Sequence, residues 1–176
     1  MAGAGMDDGH REGRAESGVK PAFLNQRERH RVAGIATRTT NADEADAAKA
    51  RIGELWGRFT SQNWAERLGH GTAFGPTIAV YSAYESDAAG SYQILIGREL
   101  ARSSSVAPPL QVVDIPPGEY LVFTCSGPLP GAVIEGWRAV WAFFDGPDAP
   151  RRAYTADFEK YVEPERIEIW VATKEG

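Results

Sequence analysis

A carboxylate and a tryptophan stand two residues apart near the end of the chain. Glu168 and Trp170 alternate with the apolar residues Ile167, Ile169 and Val171. This period of two predicts a strand that points Glu168 and Trp170 to one face and the apolar residues to the other. A carboxylate beside an aromatic ring attracts organic cations, and when apolar groups desolvate it, its pKa rises and it can serve as a general base. A solvated sheet face is the alternative interpretation of the same pattern.

Other polar and aromatic side chains could line the same site. Gln93 occupies the equivalent place in an earlier apolar run, SYQILIG, where it could hydrogen-bond a ligand or lie on the surface. Aromatic residues at helical spacing usually belong to a core, but some can reach a pocket through one edge. The aromatic candidates for a ligand pocket are Tyr81, Tyr120, Trp137, Trp141 and Trp170.

Several functional classes are disfavoured by composition. The three histidines, His10, His30 and His70, are far apart and the chain has one cysteine, Cys125, so we expect no metal site and no cofactor. The net charge of −5 argues against direct nucleic-acid binding. No apolar run approaches the roughly 20 residues that span a bilayer, and no secretory signal is evident. We expect a cytoplasmic protein without membrane association, whose oligomeric state is left open.

The chain divides into a polar leader and a patterned body. Residues 1–28 are mostly Gly-rich and of mixed charge, which predicts a mobile tail, and residues 29–176 form the domain. Apolar residues recur every three or four positions in two segments, and seven other segments are short apolar runs bounded by turn residues. The predicted helices are 42–61 and 130–144, and the predicted strands are 31–39, 77–84, 91–97, 110–115, 119–125, 157–162 and 166–172.

The order strand, helix, strand, strand occurs twice along the body. The first predicted helix ends with the residues ELWGRF and the second with AVWAFF. A predicted hairpin follows each helix. This repetition predicts an α+β fold of two βαββ modules that share one antiparallel sheet. We expect both helices on one face and a ligand groove on the other, at the junction of the modules, because ligand sites favour such junctions.

Seven strings in order give the chain a family resemblance: GIATRTTN, LWGRF, YSAYESDAAGSYQILIG, IPPGEYLVFTCSGP, GWRAVWAFF, DFEKY and IEIWV. They resemble the GyrI-like domains, which include the effector-binding domains of Rob-type and BmrR-type regulators. The resemblance covers about residues 30–174 and implies a duplicated βαββ (SHS2-like) fold. It also implies capture of small amphipathic, aromatic or cationic molecules beside a glutamate on the last strand, which matches Glu168. No helix-turn-helix accompanies these strings.

Three functions remain open from these observations. The first is a small-molecule binding module without a DNA-binding domain. The second is a hydrolase that opens strained electrophilic rings, such as the cyclopropanes of some natural products, with a groove glutamate; family resemblance alone implies it. The third is an inhibitor that docks on DNA gyrase.

The alternation of side chains along each strand predicts which residues face the helices and which face the groove. We expect Ile167, Ile169 and Val171 under the helices, together with Tyr92, Ile94 and Ile96 from the first module. By the same parity, Gln93 and Leu95 should face the groove. The strands at 30–39 and 119–125 should lie near the central axis of the sheet.

Overall fold

The computed structural model describes residues 21–175, which fold into one antiparallel sheet and four helices. The strands are β1 (Ala22–Gln26), β2 (His30–Thr40), β3 (Ala73–Ser82), β4 (Ser91–Leu100), β5 (Gln111–Ile115), β6 (Gly118–Ser126), β7 (Ala156–Glu163) and β8 (Arg166–Thr173). The helices are α1 (Asn41–Glu44), α2 (Ile52–Ser61), α3 (Trp64–Gly69) and α4 (Gly131–Phe144). None of these helices is long and apolar enough to cross a membrane.

The sheet order reveals the duplication. The strands run β1-β6-β8-β7-β3-β4-β2-β5, so β6-β8-β7 and β3-β4-β2 are the same arrangement related by a twofold axis between β7 and β3. This confirms the predicted α+β class with two βαββ modules. The expectation that 30–39 and 119–125 lie near the axis is wrong. In each module the last strand, β4 or β8, lies between the other two strands. β2 and β6 are therefore far from the twofold axis, and β3 and β7 pair with each other beside it.

The two edge strands are exchanged between the modules. β1 precedes the first module but pairs with β6 of the second, and β5 precedes the second module but pairs with β2 of the first. Residues 22–26 were predicted to belong to a mobile tail, and the structure corrects this by placing them in β1. The signal was missed because the strand depends on a partner almost 100 residues away. Residues 1–20 of the predicted tail lie outside the described residues.

The predicted helix over 42–61 is interrupted after its first turn. Thr40 caps α1 by accepting a hydrogen bond from the Asp43 N–H over 3.0 Å. Glu44 accepts the Thr39 hydroxyl over 2.6 Å and the backbone N–H groups of Arg51 and Ile52 over 2.9 and 3.3 Å. Its carboxylate therefore caps the start of α2, because it accepts the backbone N–H groups with which that helix begins.

One face of the sheet carries the helices, as parity predicted. Ile169 and Val171 pack with Val140 of α4, and Ile167 is buried on the same face. In the first module, the buried residues Ile94 and Ile96 pack with Leu55 and Phe59 of α2, and Tyr92 is also buried on that face; this part of the prediction is confirmed. The helices thus cover the outer parts of the sheet and leave the central strands between them.

In the described part of the chain, a buried apolar cluster occupies the middle of the opposite face, where the groove was predicted. Leu95 is fully buried there, in a cluster with residues from every strand from β2 to β8. β5 also contacts β3 and β7, which are not its neighbours, so the sheet curls around this face. Gly34 and Gly97 permit the tight approach of β2 and β4, since a Cβ atom on either would lie within 2.0 Å of a backbone oxygen.

Candidate ligand-binding cavity

A cavity of about 500 Å³ lies over the junction of the modules, on the helix face. Its floor is formed by β3 and β7, and its walls are α2 and α4. This volume falls within the range of small-molecule sites in proteins, roughly 300–1,000 Å³. The lining includes Asn41, Glu44, Ile52, Trp56, Tyr81, Tyr84, Tyr92, Val133, Ile134, Trp137, Arg138, Trp141, Arg152, Glu159 and Tyr161.

Seven aromatic residues line the cavity. Trp56 of α2 meets Tyr161 of β7 edge-on, with ring centroids 5.1 Å apart. Trp137 of α4 meets Tyr81 of β3 in the same way at 5.3 Å. In each of the two helices, a tryptophan therefore packs against a tyrosine of the floor. Trp141, one turn after Trp137, is 49% exposed at the rim of the cavity.

A single carboxylate, Glu159, lies in the floor and is only 2% exposed. The hydroxyls of Tyr81 and Tyr161 donate to its Oε1 and Oε2, each over 2.6 Å. The indole N–H of Trp137 donates to Oε1 over 2.7 Å. All three donors are neutral, and among residues 21–175 no Lys, Arg or His forms a salt bridge with this carboxylate.

Burial raises the pKa of Glu159, and the three hydrogen bonds oppose the rise because they favour the ionised form. Burial and the nearby carboxylate also raise the pKa values of Tyr81 and Tyr161, so both hydroxyls remain protonated donors. Burial therefore makes ionisation of this carboxylate unfavourable, and no cationic side chain among the described residues compensates its negative charge. A cation placed against it would relieve that cost.

A second buried carboxylate, Asp157, lies two residues earlier on the same face of β7. Its Oδ2 accepts hydrogen bonds from the Arg152 guanidinium over 2.7 Å and from the Tyr84 hydroxyl over 2.6 Å. Its Oδ1 accepts the Ala172 backbone N–H over 2.8 Å. Asp157 thus has a cationic partner of its own, whereas Glu159 has none among the described residues.

The structure brings three of the seven predicted site residues to the cavity. Tyr81, Trp137 and Trp141 line it. Glu168, Trp170, Tyr120 and Gln93 do not, because they point to the opposite face of the sheet.

The structure places Glu168, the predicted groove carboxylate, outside this cavity. Its Oε2 accepts the Trp170 indole N–H over 3.0 Å, and its Oε1 lies 3.5 Å from Arg166. Trp170 is itself part of the opposite core, where its ring stacks on Phe158 at 5.2 Å. Tyr120 is buried in the same core and donates its hydroxyl to the Pro116 carbonyl over 2.7 Å. The physical reason is that the curled sheet closes over this face.

Glu159 was missed although the sequence contained a signal for it. Asp157, Glu159 and Tyr161 alternate with Phe158 and Lys160 in the DFEKY string, so two carboxylates and a tyrosine share one face of a strand. Charged residues on a strand usually point to solvent and away from the helices that cover a sheet. β7 is an exception, because it lies between α2 and α4 and neither helix covers it. Its charged residues therefore point to the helix side of the sheet, into the gap between the two helices.

Metal chemistry finds no support in the described part of the chain. Among residues 21–175, no group of three or more His, Cys, Asp and Glu side chains is arranged to hold a metal ion. The cavity instead combines an aromatic lining with two carboxylates, Glu44 and Glu159, and two arginines, Arg138 and Arg152.

Comparison with known proteins gives the same family over most of the chain. The family described as Cass2, integron-associated effector binding protein, matches residues 24–173. YobU of Bacillus subtilis (strain 168), provisionally named a transcriptional regulator, is 32% identical over 151 residues, which are 82% of this chain and 92% of YobU.

Two solved structures are similar in fold. The integron cassette protein VCH_CASS2, from the mobile metagenome of Vibrio cholerae, has a TM-score of 0.74 and 32% identity, and the match covers 90% of this chain and 97% of that one. SAV2435, solved bound to tetraphenylphosphonium, has a TM-score of 0.70 and 18% identity, with 88% and 94% covered. At 18% identity the second likeness concerns the fold alone.

Proposed function

Since the chain belongs to the Cass2 family of integron-associated effector-binding proteins, the GyrI-like class that its sequence strings resemble, we propose that it binds aromatic organic cations. Family membership supports small-molecule binding in general, and the proposal adds the ligand class and the site. The site is the cavity between α2 and α4, and the counterion of the ligand is Glu159.

The observation that carries this proposal is a buried carboxylate, Glu159, that has no cationic partner among residues 21–175. Ionised groups are buried only at a large cost unless an opposite charge accompanies them. Glu159 is nearly inaccessible, yet its hydrogen-bond partners are two tyrosine hydroxyls and one indole N–H. A bound organic cation would supply the missing charge.

The aromatic lining favours the same class of ligand. A cation near the face of a tryptophan or tyrosine ring gains roughly 2 kcal/mol where water is excluded. Trp56, Tyr81, Trp137 and Tyr161 surround the carboxylate with such rings. SAV2435, which shares the fold, was solved with tetraphenylphosphonium, a cation of this class. Flat or propeller-shaped aromatic cations of drug size fit a cavity of about 500 Å³.

The decisive experiment replaces Glu159 by Gln, which keeps the shape of the side chain and removes its charge. Affinities for tetraphenylphosphonium and for neutral triphenylphosphine oxide would be measured by tryptophan fluorescence quenching and calorimetry. We expect the phosphonium to bind the variant roughly tenfold to a hundredfold more weakly, because the ion pair is lost. The neutral compound should change by less than about threefold.

Glu168→Gln provides a matched control. Glu168 is also a partly buried carboxylate that accepts a tryptophan N–H, but it lies on the opposite face. This variant should bind both compounds like the unaltered protein. Equal losses for the cation and the neutral compound in Glu159→Gln, or a loss of cation binding in Glu168→Gln, would contradict the proposal.

Hydrolysis of strained rings remains a second prediction for the same cavity. The raised pKa of Glu159 is favourable for a general base that activates water. Incubation with a cyclopropane-bearing alkylating agent, followed by mass spectrometry, would test it. Binding without any ring-opened product at stoichiometric protein would leave the binding function alone.

A further inference from the structure

One wall of the cavity carries a guanidinium whose donors are only partly used. Arg152 lines the cavity, and its side chain is 11% exposed. Its Nη2 donates to Asp157 over 2.7 Å. Its Nε is buried and has no hydrogen-bond partner among the described residues. A buried donor without an acceptor is costly, and native structures contain few of them.

The guanidinium is held in place from several sides. The ring of Tyr154 lies 4.5 Å from it and that of Phe144 lies 5.9 Å from it. The backbone of Arg152 forms an isolated antiparallel bridge with Thr173, the last residue of β8. The N–H of the neighbouring Ala153 donates to the Ala172 carbonyl over 2.8 Å. The unused donor therefore cannot be explained by a freely moving side chain.

Backbone strain accompanies this arrangement. Tyr154 has a φ of 52° and Ala83, which precedes Tyr84, has a φ of 49°. Non-glycine residues in this left-handed region are strained, and such residues collect at ligand sites. The rings of Tyr84 and Tyr154 lie with centroids 5.5 Å apart beside the guanidinium.

We propose that Arg152 forms a second polar subsite, which takes a hydrogen-bond-accepting oxygen of the same ligand whose cation rests on Glu159. This inference builds on the proposed function and narrows its ligand class to aromatic cations that also carry a carbonyl-type oxygen. Asp157 already neutralises the arginine, so a neutral acceptor suffices and an anion is not required. Asp157 and Glu159 are two residues apart on one strand face, so the oxygen and the cation should be separated by on the order of 7 Å.

Two cationic xanthene dyes test the subsite. Rhodamine 6G carries an ester carbonyl, and the matched rosamine has a hydrogen in place of the ester. The readout is the ratio of their dissociation constants, measured by fluorescence anisotropy. We expect the unaltered protein to bind the ester dye about tenfold more tightly, since a hydrogen bond to a charged group is worth about that factor.

The matched variant is Arg152→Lys, which keeps the charge beside Asp157 and removes the guanidinium donors. It should bring the ratio of the two dissociation constants to within about twofold of one. A ratio near one in the unaltered protein, or a preference that survives in Arg152→Lys, would overturn the subsite. If the rosamine binds and depends on Glu159 while the ester adds nothing, only this inference fails. If neither dye binds, the proposed function fails with it.

Infrared spectroscopy of the unaltered complex gives a result that does not depend on the variant folding. A hydrogen bond from a charged donor weakens the ester C=O bond, so its stretching band should move to lower wavenumber when rhodamine 6G binds. A bound ester whose band stays at its position in an aprotic solvent would overturn the subsite.

Discussion

Two carboxylates on one face of β7 have opposite surroundings. Asp157 is fully buried and paired with Arg152, with a tyrosine hydroxyl and a backbone N–H completing its hydrogen bonds. Glu159 is equally buried, but its partners are neutral hydroxyls and an indole N–H. The same strand thus holds one charge that the protein has neutralised and one that it has not.

The difference separates a structural role for Asp157 from the binding role that we propose for Glu159. A buried ion pair that is complete stabilises a particular geometry, and removing one partner leaves an uncompensated charge. A buried carboxylate supported only by neutral donors keeps its capacity to attract a cation. On this basis Asp157 orders the wall of the cavity, and Glu159 is available to a ligand.

The largest expected effect is on stability, through Asp157→Asn. The substitution leaves the Arg152 charge without its buried partner, so the free energy of unfolding should fall by about 3–5 kcal/mol. Glu159→Gln, the equivalent change two residues later, should cost far less because no cationic partner is stranded. Urea unfolding of both variants measures the two losses. Equal losses would break the distinction between the two carboxylates.

The second effect is a pH dependence of cation binding. The cation should bind the ionised form of Glu159, whose pKa is raised by burial. Below that pKa, affinity for tetraphenylphosphonium should rise by about tenfold per pH unit and then level off above it. Titration calorimetry in buffers of different ionisation enthalpy would detect the accompanying proton release. A flat profile across the acidic and neutral range would show that no proton is linked to binding.

Removal of one tyrosine hydroxyl should have different consequences at the two carboxylates. Tyr161→Phe deletes a donor to Glu159, so the pH at which cation affinity levels off should rise by about 0.7, the equivalent of roughly 1 kcal/mol. Tyr84→Phe deletes a donor to Asp157 over the same 2.6 Å distance and should instead lower the free energy of unfolding by about 1 kcal/mol. Binding and urea-unfolding measurements on both variants provide the comparison. If both variants change only the pH dependence of binding, or both change only the free energy of unfolding, the distinction between the two carboxylates is wrong.

The last effect is the pH dependence of stability without ligand. Because the folded pKa of Glu159 is raised, its protonated form stabilises the fold at pH values below the ordinary value of 4.5. This contribution should be lost as the pH rises from 4.5 through the raised pKa, since the unfolded state has then already released its proton. Glu159→Gln should lack this decline when unfolding is measured along the same pH series. A decline of the same size in the variant would assign it to another group.

Local pattern was sufficient for most of the fold. Short apolar runs bounded by turn residues located seven of the eight strands of the described chain, and the parity of Ile167, Ile169 and Val171 under a helix was correct. These features depend on neighbouring residues along one strand. β1 and the break between α1 and α2 were missed, because one needs a distant partner in β6 and the other depends on Glu44 reaching over to the start of α2.

The sequence by itself determined the family, the duplicated βαββ order and three of the cavity residues, Tyr81, Trp137 and Trp141. Only the tertiary structure decided which carboxylate faces the cavity. Strand periodicity states that Glu159 and Glu168 each point to one of two faces, but it does not state which face is open. That depends on the curl of the sheet, which fills one face, and on the gap between α2 and α4, which exposes β3 and β7 on the other. Both result from contacts between residues far apart in the chain.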